Sequence, residues 1–436
     1  MKKFFSKFKV NIIVFFIPVF IYLLTYIIFG VYPFKDKIIL ISDMYSQYIH
    51  YYIYIYDSIS NLDFFSLIYS WNIGLGNSFI GLFSSYLSSP LNLIILLFPK
   101  KNLTEAIFII TILKIGFSAV SFSFFLNYLH KDNKSYCIIF SVLYSLMSYM
   151  VVYSFNIMWL DSVIYLPLVA MGINKIVKEK KFILYCISLF LTIISNYYTG
   201  YMVCIFSILY FLIVYFSVND LKDVKIFLHR FKLFIISSLL AGILSSYLII
   251  PTYFSLKNTN SFGSGNLEMK ANYDFIDLFS KMIINSYDTL TVGLPNVYCG
   301  LIVLILVPLY FFNTKYSIKE KILYFIFIVF LIFSFNISAF NIIWHGFDYP
   351  NWFPYRYSFI FSFILLKLAF KAFVELKNIK FFIIVGYTSI LILTIIVIQK
   401  LDYDFINDIS ITLSILIILV YTTLLSLFKI NFKKNI

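Results

Sequence analysis

The sequence predicts an all-α integral membrane protein with about twelve transmembrane helices. Of its 436 residues, 61% are hydrophobic and 12% are charged, whereas a soluble domain carries roughly 25% charged residues. Apolar runs long enough to cross a bilayer as helices recur along the chain. A soluble enzyme and a disordered scaffold are excluded, because the chain has too little polar surface to cover a water-facing body.

The spans follow from the thickness of the hydrocarbon core, which is about 30 Å and requires roughly 20 apolar residues of helix. The first span, 10–30, follows a basic start and has no small-residue cleavage site, which indicates a retained helix and not a signal peptide. Leu91–Phe98 lies between two prolines and is too short to cross, so we expect a helix at, or re-entering, the membrane interface. The other spans are predicted at 105–129, 136–153, 162–178, 182–195, 201–217, 232–252, 298–313, 322–336, 357–374, 381–399 and 409–429.

The charge distribution predicts the orientation of these spans. With both termini in the cytoplasm, the predicted cytoplasmic segments hold 23 of the 34 lysines and arginines and 6 of the 20 acidic residues. The positive-inside rule therefore explains the net charge of +14, and nucleic acid is not expected as a partner. The sequence predicts one polytopic domain, 1–436, in the cell membrane, with a first extracytoplasmic loop at 31–104 and a long one at 253–297.

The long loop at 253–297 divides by composition into two halves. Its first half is polar and rich in Gly, Ser and Asn, which predicts a flexible segment. Its second half, Tyr273 to Tyr287, has apolar residues spaced as in a surface helix. A mobile loop over a site is a common way of gating substrate.

The cysteines predict no metal centre and no disulfide framework, because none of them forms a CxxC pair. All four lie in or beside apolar runs, and we interpret them as core residues: Cys137, Cys186, Cys204 and Cys299.

Polar residues are expensive in a lipid-embedded chain and are therefore informative. The segment ISDMYSQYIHYYIYIYDSISN follows the first span and places Asp43 and Gln47 on one face of a helix. An interfacial aromatic belt explains most of its tyrosines but does not explain Asp43. For Asp43 we keep two interpretations, a catalytic carboxylate and a helix N-cap or solvated loop residue.

Three further segments on the predicted outer face carry candidate substrate-binding residues. SWNIGLGNSF contains Trp71 and Asn72, for which a simple turn is the alternative. NIMWLDSVIYLPL places Trp159 and Asp161 at the mouth of a span. SNYYTGYM forms a tight turn with Asn196, Tyr197 and Tyr198.

Cations that could hold a phosphate group come from two places in the sequence. FNIIWHGFDYPNWFPYRYSF contains His345 and Arg356, and Arg binds phosphate in a bidentate way. The same segment contains Trp352, a candidate substrate-binding residue. An interfacial hydrogen-bonding His and a snorkelling Arg are the alternatives. Lys114 lies within the second span and either faces a phosphate or carboxylate group of the substrate, snorkels, or pairs with a structural carboxylate. All four tryptophans, 71, 159, 344 and 352, fall on the predicted outer face.

These motifs, in this order along nearly the whole chain, resemble the YfhO family of bacterial membrane proteins. That family is similar to the GT-C class of integral-membrane glycosyltransferases. The resemblance implies a multi-helix bundle with juxtamembrane helices, matched here by Leu91–Phe98, and a catalytic acid in the first outer loop, matched by Asp43. It also implies a polyprenyl-phosphate-linked sugar as donor and a cell-wall polymer such as teichoic acid as acceptor.

The expected reaction uses Asp43 as a general base on an acceptor hydroxyl. Arg356, with His345 and Lys114 behind it, stabilises the leaving phosphate, and Asp161 orients the acceptor, binds a metal or positions a donor hydroxyl. The cofactor is left open, with a divalent cation as one option. We expect Asp43, Asp161, His345 and Arg356 to converge on one cavity. The alternatives are a transporter or lipid flippase of the cell envelope, and a non-catalytic assembly partner of cell-wall enzymes.

Overall fold

The computed structural model describes residues 2–130, 134–220, 223–257, 265–289 and 291–434 and is almost entirely helical. The α-helices are α1 (Lys2–Phe29), α2 (Ile49–Ser60), α3 (Ile80–Leu82), α4 (Leu103–Leu129), α5 (Lys134–Ser145), α6 (Ser148–Val152), α7 (Ile157–Glu179), α8 (Ile183–Ser195), α9 (Tyr197–Val218), α10 (Val224–Lys257), α11 (Asp277–Ser280), α12 (Leu301–Phe312), α13 (Ile318–Asn336), α14 (Ser338–Trp344), α15 (Ser358–Val374), α16 (Phe381–Lys400) and α17 (Asp408–Lys434).

The connection from α1 to α4 contains most of the remaining regular structure. Two residues of strand β1 (Tyr69–Ser70) pair antiparallel with β2 (Asn77–Ser78). The other short elements are π-helical turns at Met44–Tyr48 and Phe83–Leu87 and 3₁₀-helices at Phe65–Leu67, Pro90–Leu97, Lys100–Asn102 and Leu376–Asn378.

Seven helices of the described residues are long and apolar enough to cross a membrane. They are Lys9–Phe29, Lys100–Leu129, Ile157–Glu179, Tyr197–Val218, Val224–Lys257, Phe381–Lys400 and Asp408–Lys429. The protein is thus a multi-pass helical membrane protein, as predicted. A helix occupies each of the twelve predicted spans, but α8 and α12 have 13 and 12 residues, short of the roughly 20 that a bilayer requires. The number twelve therefore stays a prediction.

The predicted interfacial helix is present as one arm of a sharply bent pair. The segments Ile80–Leu87 and Pro90–Leu97 meet at an angle of 87°. Ser89 caps the second arm, since its hydroxyl accepts a hydrogen bond from Leu91 N, and Pro90 occupies the first helical position, where no N–H is needed. A broken span and a re-entrant loop both have this geometry.

The chain forms two compact units. Unit 1 comprises 1–128, 150–214 and 221–264, and unit 2 comprises 129–149, 215–220 and 265–436. Within unit 1, α8 packs on α7 and α10. Gly172 allows this close approach, because a Cβ there would lie 2.5 Å from the Cα of Tyr185.

Within unit 2, α15 is buried along nearly its whole length and packs on α5 and α12. Ser317 caps the start of α13, because its hydroxyl accepts a hydrogen bond from Glu320 N. These contacts give unit 2 a core of its own.

Two predicted helices differ from the structure. The span predicted at 136–153 is broken into α5 and α6, because Ser148 N leaves the helix and donates to Tyr298 O. The surface helix predicted from Tyr273 to Tyr287 shrinks to the four residues of α11.

The long loop at 253–297 also starts later than predicted, because α10 continues to Lys257. Part of its predicted flexible half, 258–264, lies outside the described residues. From residue 265 the loop is held by backbone hydrogen bonds: Ala339 N donates to Glu268 O, Ser338 N to Lys270 O, and Asn272 N to Asn336 O. Polar composition concealed this pairing, because the bonds use backbone atoms.

Candidate functional site

Asp43 follows a backbone turn and begins a short π-helical segment. Ser42 adopts a left-handed conformation with φ 48°, which is uncommon for a residue other than glycine. The Asp43 carboxylate is partly exposed and makes no capping hydrogen bond. Tyr48 OH lies 3.4 Å from Asp43 Oδ2. The structure therefore does not use Asp43 as a side-chain N-cap.

Two tyrosines one turn apart each donate a hydrogen bond to a buried asparagine. Tyr48 OH lies 2.8 Å from Oδ1 of Asn156, the residue before α7. Tyr52 OH lies 3.0 Å from Oδ1 of Asn92, in the second arm of the bent pair. Both asparagines are buried. These bonds tie the segment that carries Asp43 to α7 and to the bent pair.

Asp161 lies at the centre of the buried polar groups in unit 1. Its Oδ2 accepts a hydrogen bond from Lys114 Nζ at 2.6 Å, and its Oδ1 accepts one from Ser89 Oγ at 2.9 Å. Lys114 Nζ also donates to Ile157 O at 3.0 Å. Lys114 and Asp161 are both 0% exposed. Of the interpretations open for Lys114, the geometry is that of pairing with a structural carboxylate.

Asn196 is bonded inside the protein on both sides of its amide. Its Oδ1 caps α9 by accepting from Thr199 N at 2.7 Å, and its Nδ2 donates to Ser85 O at 2.6 Å. Tyr197 and Tyr198, the first two residues of α9, are half-buried. The predicted turn is thus present, and the cap explains why the sequence changes helix at this point.

The remaining candidates of unit 1 differ in how accessible they are. Trp71 is 77% exposed, and Asn72 and Gln47 are exposed. Trp159 is 5% exposed and packs edge-on against Tyr153. A substrate could reach the first three side chains without any rearrangement, whereas Trp159 belongs to the core.

His345 lies buried at the end of α14, in unit 2. Its Nδ1 donates to Asn341 O at 2.7 Å, and its ring lies edge-on to that of Tyr357. Burial, and to a smaller degree the charge of Arg356, lowers the pKa of His345 to about 3. His345 is therefore neutral at physiological pH, and its role in phosphate binding stays a prediction.

Arg356 is held in a strained loop of unit 2. Its Nη2 donates to Trp352 O at 2.8 Å and its Nε to Phe353 O at 3.1 Å. Phe353 and Tyr355 adopt left-handed backbone conformations, with φ 55° and 60°, which is a strained state for bulky residues. Arg356 is partly exposed, and Trp352 beside it is 50% exposed. This loop presents a guanidinium group at the surface of unit 2.

Sequence reasoning missed one buried ion pair in unit 2. Lys281 Nζ lies 2.7 Å from Asp288 Oδ1, and both side chains are at least nine-tenths buried. Burial lowers the pKa of Lys281, and Asp288 opposes that effect. The seven-residue spacing of the pair matches no motif, so no signal in the sequence marks it. Among the described residues, no group of three His, Cys, Asp or Glu side chains could hold a metal ion.

The structure brings Asp43, Asp161 and Lys114 into one unit and places His345 and Arg356 in the other. The expected convergence of all these residues on one cavity therefore stays a prediction.

The fold and these polar clusters define a multi-pass helical membrane protein with buried charge in both of its units. The family model of the bacterial membrane protein YfhO matches residues 14–436. The chain therefore belongs to the YfhO family. Neither the curated proteins nor the solved structures gave a match.

Proposed function

We propose that this protein is a membrane glycosyltransferase that moves a sugar from a polyprenyl-phosphate carrier to an extracytoplasmic cell-wall polymer such as teichoic acid. The observation that carries the proposal is the partly exposed Asp43 carboxylate, which has no capping bond and lies beside Tyr48. Membership of the YfhO family agrees with it. The proposal includes twelve spans in a GT-C-like bundle, cytoplasmic termini and an extracytoplasmic site.

In the proposed reaction, Asp43 removes the proton of an acceptor hydroxyl while its oxygen attacks the anomeric carbon of the donor sugar. The bond from the anomeric carbon to the phosphate oxygen breaks, and polyprenyl phosphate leaves with the electron pair. A carboxylate oxygen can accept this proton, and Asp43 forms no ion pair among the described residues that would compete for it. Its neighbour Tyr48 OH lies 3.4 Å from Oδ2 of Asp43 and 2.8 Å from Oδ1 of Asn156.

The leaving phosphate needs a cation, and the three candidates are not equivalent. The charge of Lys114 is matched by Asp161, and burial keeps His345 neutral. Arg356 is partly exposed and carries the planar guanidinium group that binds phosphate bidentately. We therefore assign the phosphate to Arg356.

The test uses purified protein in lipid nanodiscs with polyprenyl phosphates that carry radiolabelled glucose, galactose or N-acetylglucosamine. With teichoic acid present, the proposal expects label to appear in the polymer and free polyprenyl phosphate to accumulate. Parallel reactions with EDTA test the divalent-cation option. No transfer and no donor consumption with any of the three sugars would contradict the proposal.

A transporter or lipid flippase is the second candidate, favoured by two observations. Transporters commonly contain discontinuous helices and buried intramembrane charges. Here the bent pair has an angle of 87°, and Lys114 and Asp161 form an ion pair with no exposure. Proteoliposomes that move the labelled lipid between leaflets without consuming it would favour this candidate.

A further inference from the structure

Asn156 has one polar atom without a hydrogen-bond partner in the part of the chain that the structure describes. The side chain is fully buried. Its Oδ1 accepts a hydrogen bond from Tyr48 OH at 2.8 Å, but its Nδ2 has no hydrogen-bond partner among the described residues. Turning the amide exchanges the two atoms and leaves the other one unbonded. Buried polar groups are nearly always hydrogen-bonded, so each exception needs an explanation.

Asn92 provides an internal comparison. It is equally buried, and its Oδ1 also accepts from a tyrosine hydroxyl, that of Tyr52. Unlike Asn156, it uses Nδ2 within the protein, to donate to Leu87 O at 3.0 Å and to Tyr86 O at 3.4 Å. The same residue type in the same kind of pair is thus satisfied at one position and unsatisfied at the other.

The surroundings of Asn156 indicate the chemistry of the missing partner. The hydroxyl that binds its Oδ1 also lies 3.4 Å from the carboxylate of Asp43. One residue along the chain, Ile157 O accepts from Lys114, whose charge is matched by Asp161. Asp43 therefore leaves this region with a net negative charge, which disfavours an anion such as phosphate. An amide donor beside a carboxylate and a tyrosine hydroxyl suits a neutral hydroxyl group.

We infer that Asn156 is a substrate-binding residue whose amide forms a hydrogen bond with a hydroxyl group of the transferred sugar. This inference rests on the proposed function and adds to it a residue that fixes the position of the sugar beside Asp43. A site built to bond a hydroxyl discriminates strongly against analogues that lack it. Asn156 therefore determines which sugars are accepted.

The first experiment compares Asn156→Leu with Asn92→Leu in nanodiscs. Leucine has the same number of side-chain heavy atoms as asparagine and no polar atom. Asn156→Leu removes one hydrogen bond, the one from Tyr48, and should lower the unfolding temperature less than Asn92→Leu, which removes the bond from Tyr52 and two further bonds. Equal losses of unfolding temperature in the two variants would contradict the inference, because the Asn156 amide would then have a protein partner.

The second experiment measures kcat/KM with polyprenyl phosphate glucose and a set of its monodeoxy analogues. Asn156→Leu is expected to lower kcat/KM for the parent sugar by about ten-fold. For one deoxy analogue, the kcat/KM values of the wild type and of Asn156→Leu should be equal, because that analogue lacks the hydroxyl that Asn156 binds. Tyr48→Phe keeps the amide and should retain the discrimination between that analogue and the parent. An equal drop in kcat/KM with every analogue would show a structural role and overturn the inference.

Failure of the inference and failure of the proposed function give different results. A wild type that transfers glucose while Asn156→Leu transfers it equally well refutes the inference alone. If the wild type transfers no sugar but the donors raise its unfolding temperature, the proposed transferase activity is refuted. The inference about Asn156 then requires that the donors no longer raise the unfolding temperature of Asn156→Leu. No stabilisation by any donor refutes both.

Discussion

The two units of this protein pair a buried lysine in the same way but differ in the sign of the partly exposed charge. In unit 1 the buried cation Lys114 is matched by Asp161, and the partly exposed carboxylate of Asp43 has no ion pair among the described residues. In unit 2 the buried cation Lys281 is matched by Asp288, and the partly exposed group is the guanidinium of Arg356. Unit 1 thus carries a partly exposed acid, and unit 2 carries a partly exposed cation.

This difference separates structural charges from chemical ones. A buried charge must be paired, because removing one partner of a buried pair is strongly destabilising. A charge that is paired within the protein is also not available to bind a substrate. Counting charged residues near the membrane therefore overestimates the number of functional groups, and exposure together with pairing decides which of them are available.

The largest expected effect concerns Asp43. Asp43→Asn should lower sugar transfer by about 10² to 10⁴-fold, the usual contribution of a general base, with little change in unfolding temperature. Asp57→Asn is the matched control, because Asp57 lies on the adjoining helix α2 and is exposed in an ion pair with Lys100. Radiolabel transfer measures both variants. Equal activity in the two would make the acid of unit 1 dispensable.

The next effect concerns the stability of unit 1. Lys114→Met or Asp161→Asn leaves a buried charge or polar group unmatched and should cost about 3–5 kcal/mol of unfolding free energy. Replacing both residues by apolar ones, Lys114→Met with Asp161→Leu, should recover most of that loss. Unfolding by SDS titration measures it. If the double variant is stable and fully active, the Lys114–Asp161 pair has a structural role only. If it is stable but inactive, Asp161 takes part in the reaction.

A smaller effect is expected at Arg356. Arg356→Lys should lower kcat/KM by about ten- to a hundred-fold, because an ammonium group loses the bidentate geometry of a charge-assisted hydrogen bond. Arg230, the other arginine of the chain, gives the control Arg230→Lys. Steady-state kinetics with the labelled donor compares them. If Arg230→Lys has the larger effect, the cation of unit 2 is not the phosphate ligand.

The smallest effect is a pH dependence of unit 2. The pKa of His345 is about 3 in the folded protein and near 6.5 when unfolded. Below pH 6.5 the unfolded state therefore binds the extra proton, and stability falls by up to about 1.4 kcal/mol per pH unit down to pH 3. Thermal unfolding from pH 7 to pH 5 measures this slope. The slope should decrease in His345→Gln. An unchanged slope in that variant would mean that other groups cause the pH dependence.

The length of the apolar runs was enough to predict the long helices that are mostly unburied within the protein. The span predicted at 381–399 is α16, Phe381–Lys400, and the one predicted at 409–429 falls within α17. Burial in lipid requires long apolar runs whatever the tertiary contacts. The break between α5 and α6 was missed because it depends on a bond from Ser148 N to Tyr298 O, which no local pattern encodes.

From the sequence, the candidate site was predictable only as a set of polar residues in or beside apolar segments, where lipid disfavours them. Asp43, Asp161 and Lys114 were found in this way, but their pairing was not, since Lys114 and Asp161 lie 47 residues apart. Asn156 is the first residue of the motif NIMWLDSV, and an asparagine before a helix indicates only an ordinary helix cap. Its partner Tyr48 lies 108 residues away, and only the fold shows that the amide is left unbonded.

The most direct test of the account is a cryo-EM structure of the protein in nanodiscs with a polyprenyl phosphate sugar bound to Asp43→Asn. In that structure we expect a sugar hydroxyl within about 3.5 Å of the Asn156 amide, with the anomeric carbon facing residue 43. A sugar bound away from both residues, with Asn156 Nδ2 bonded to the protein, would contradict it.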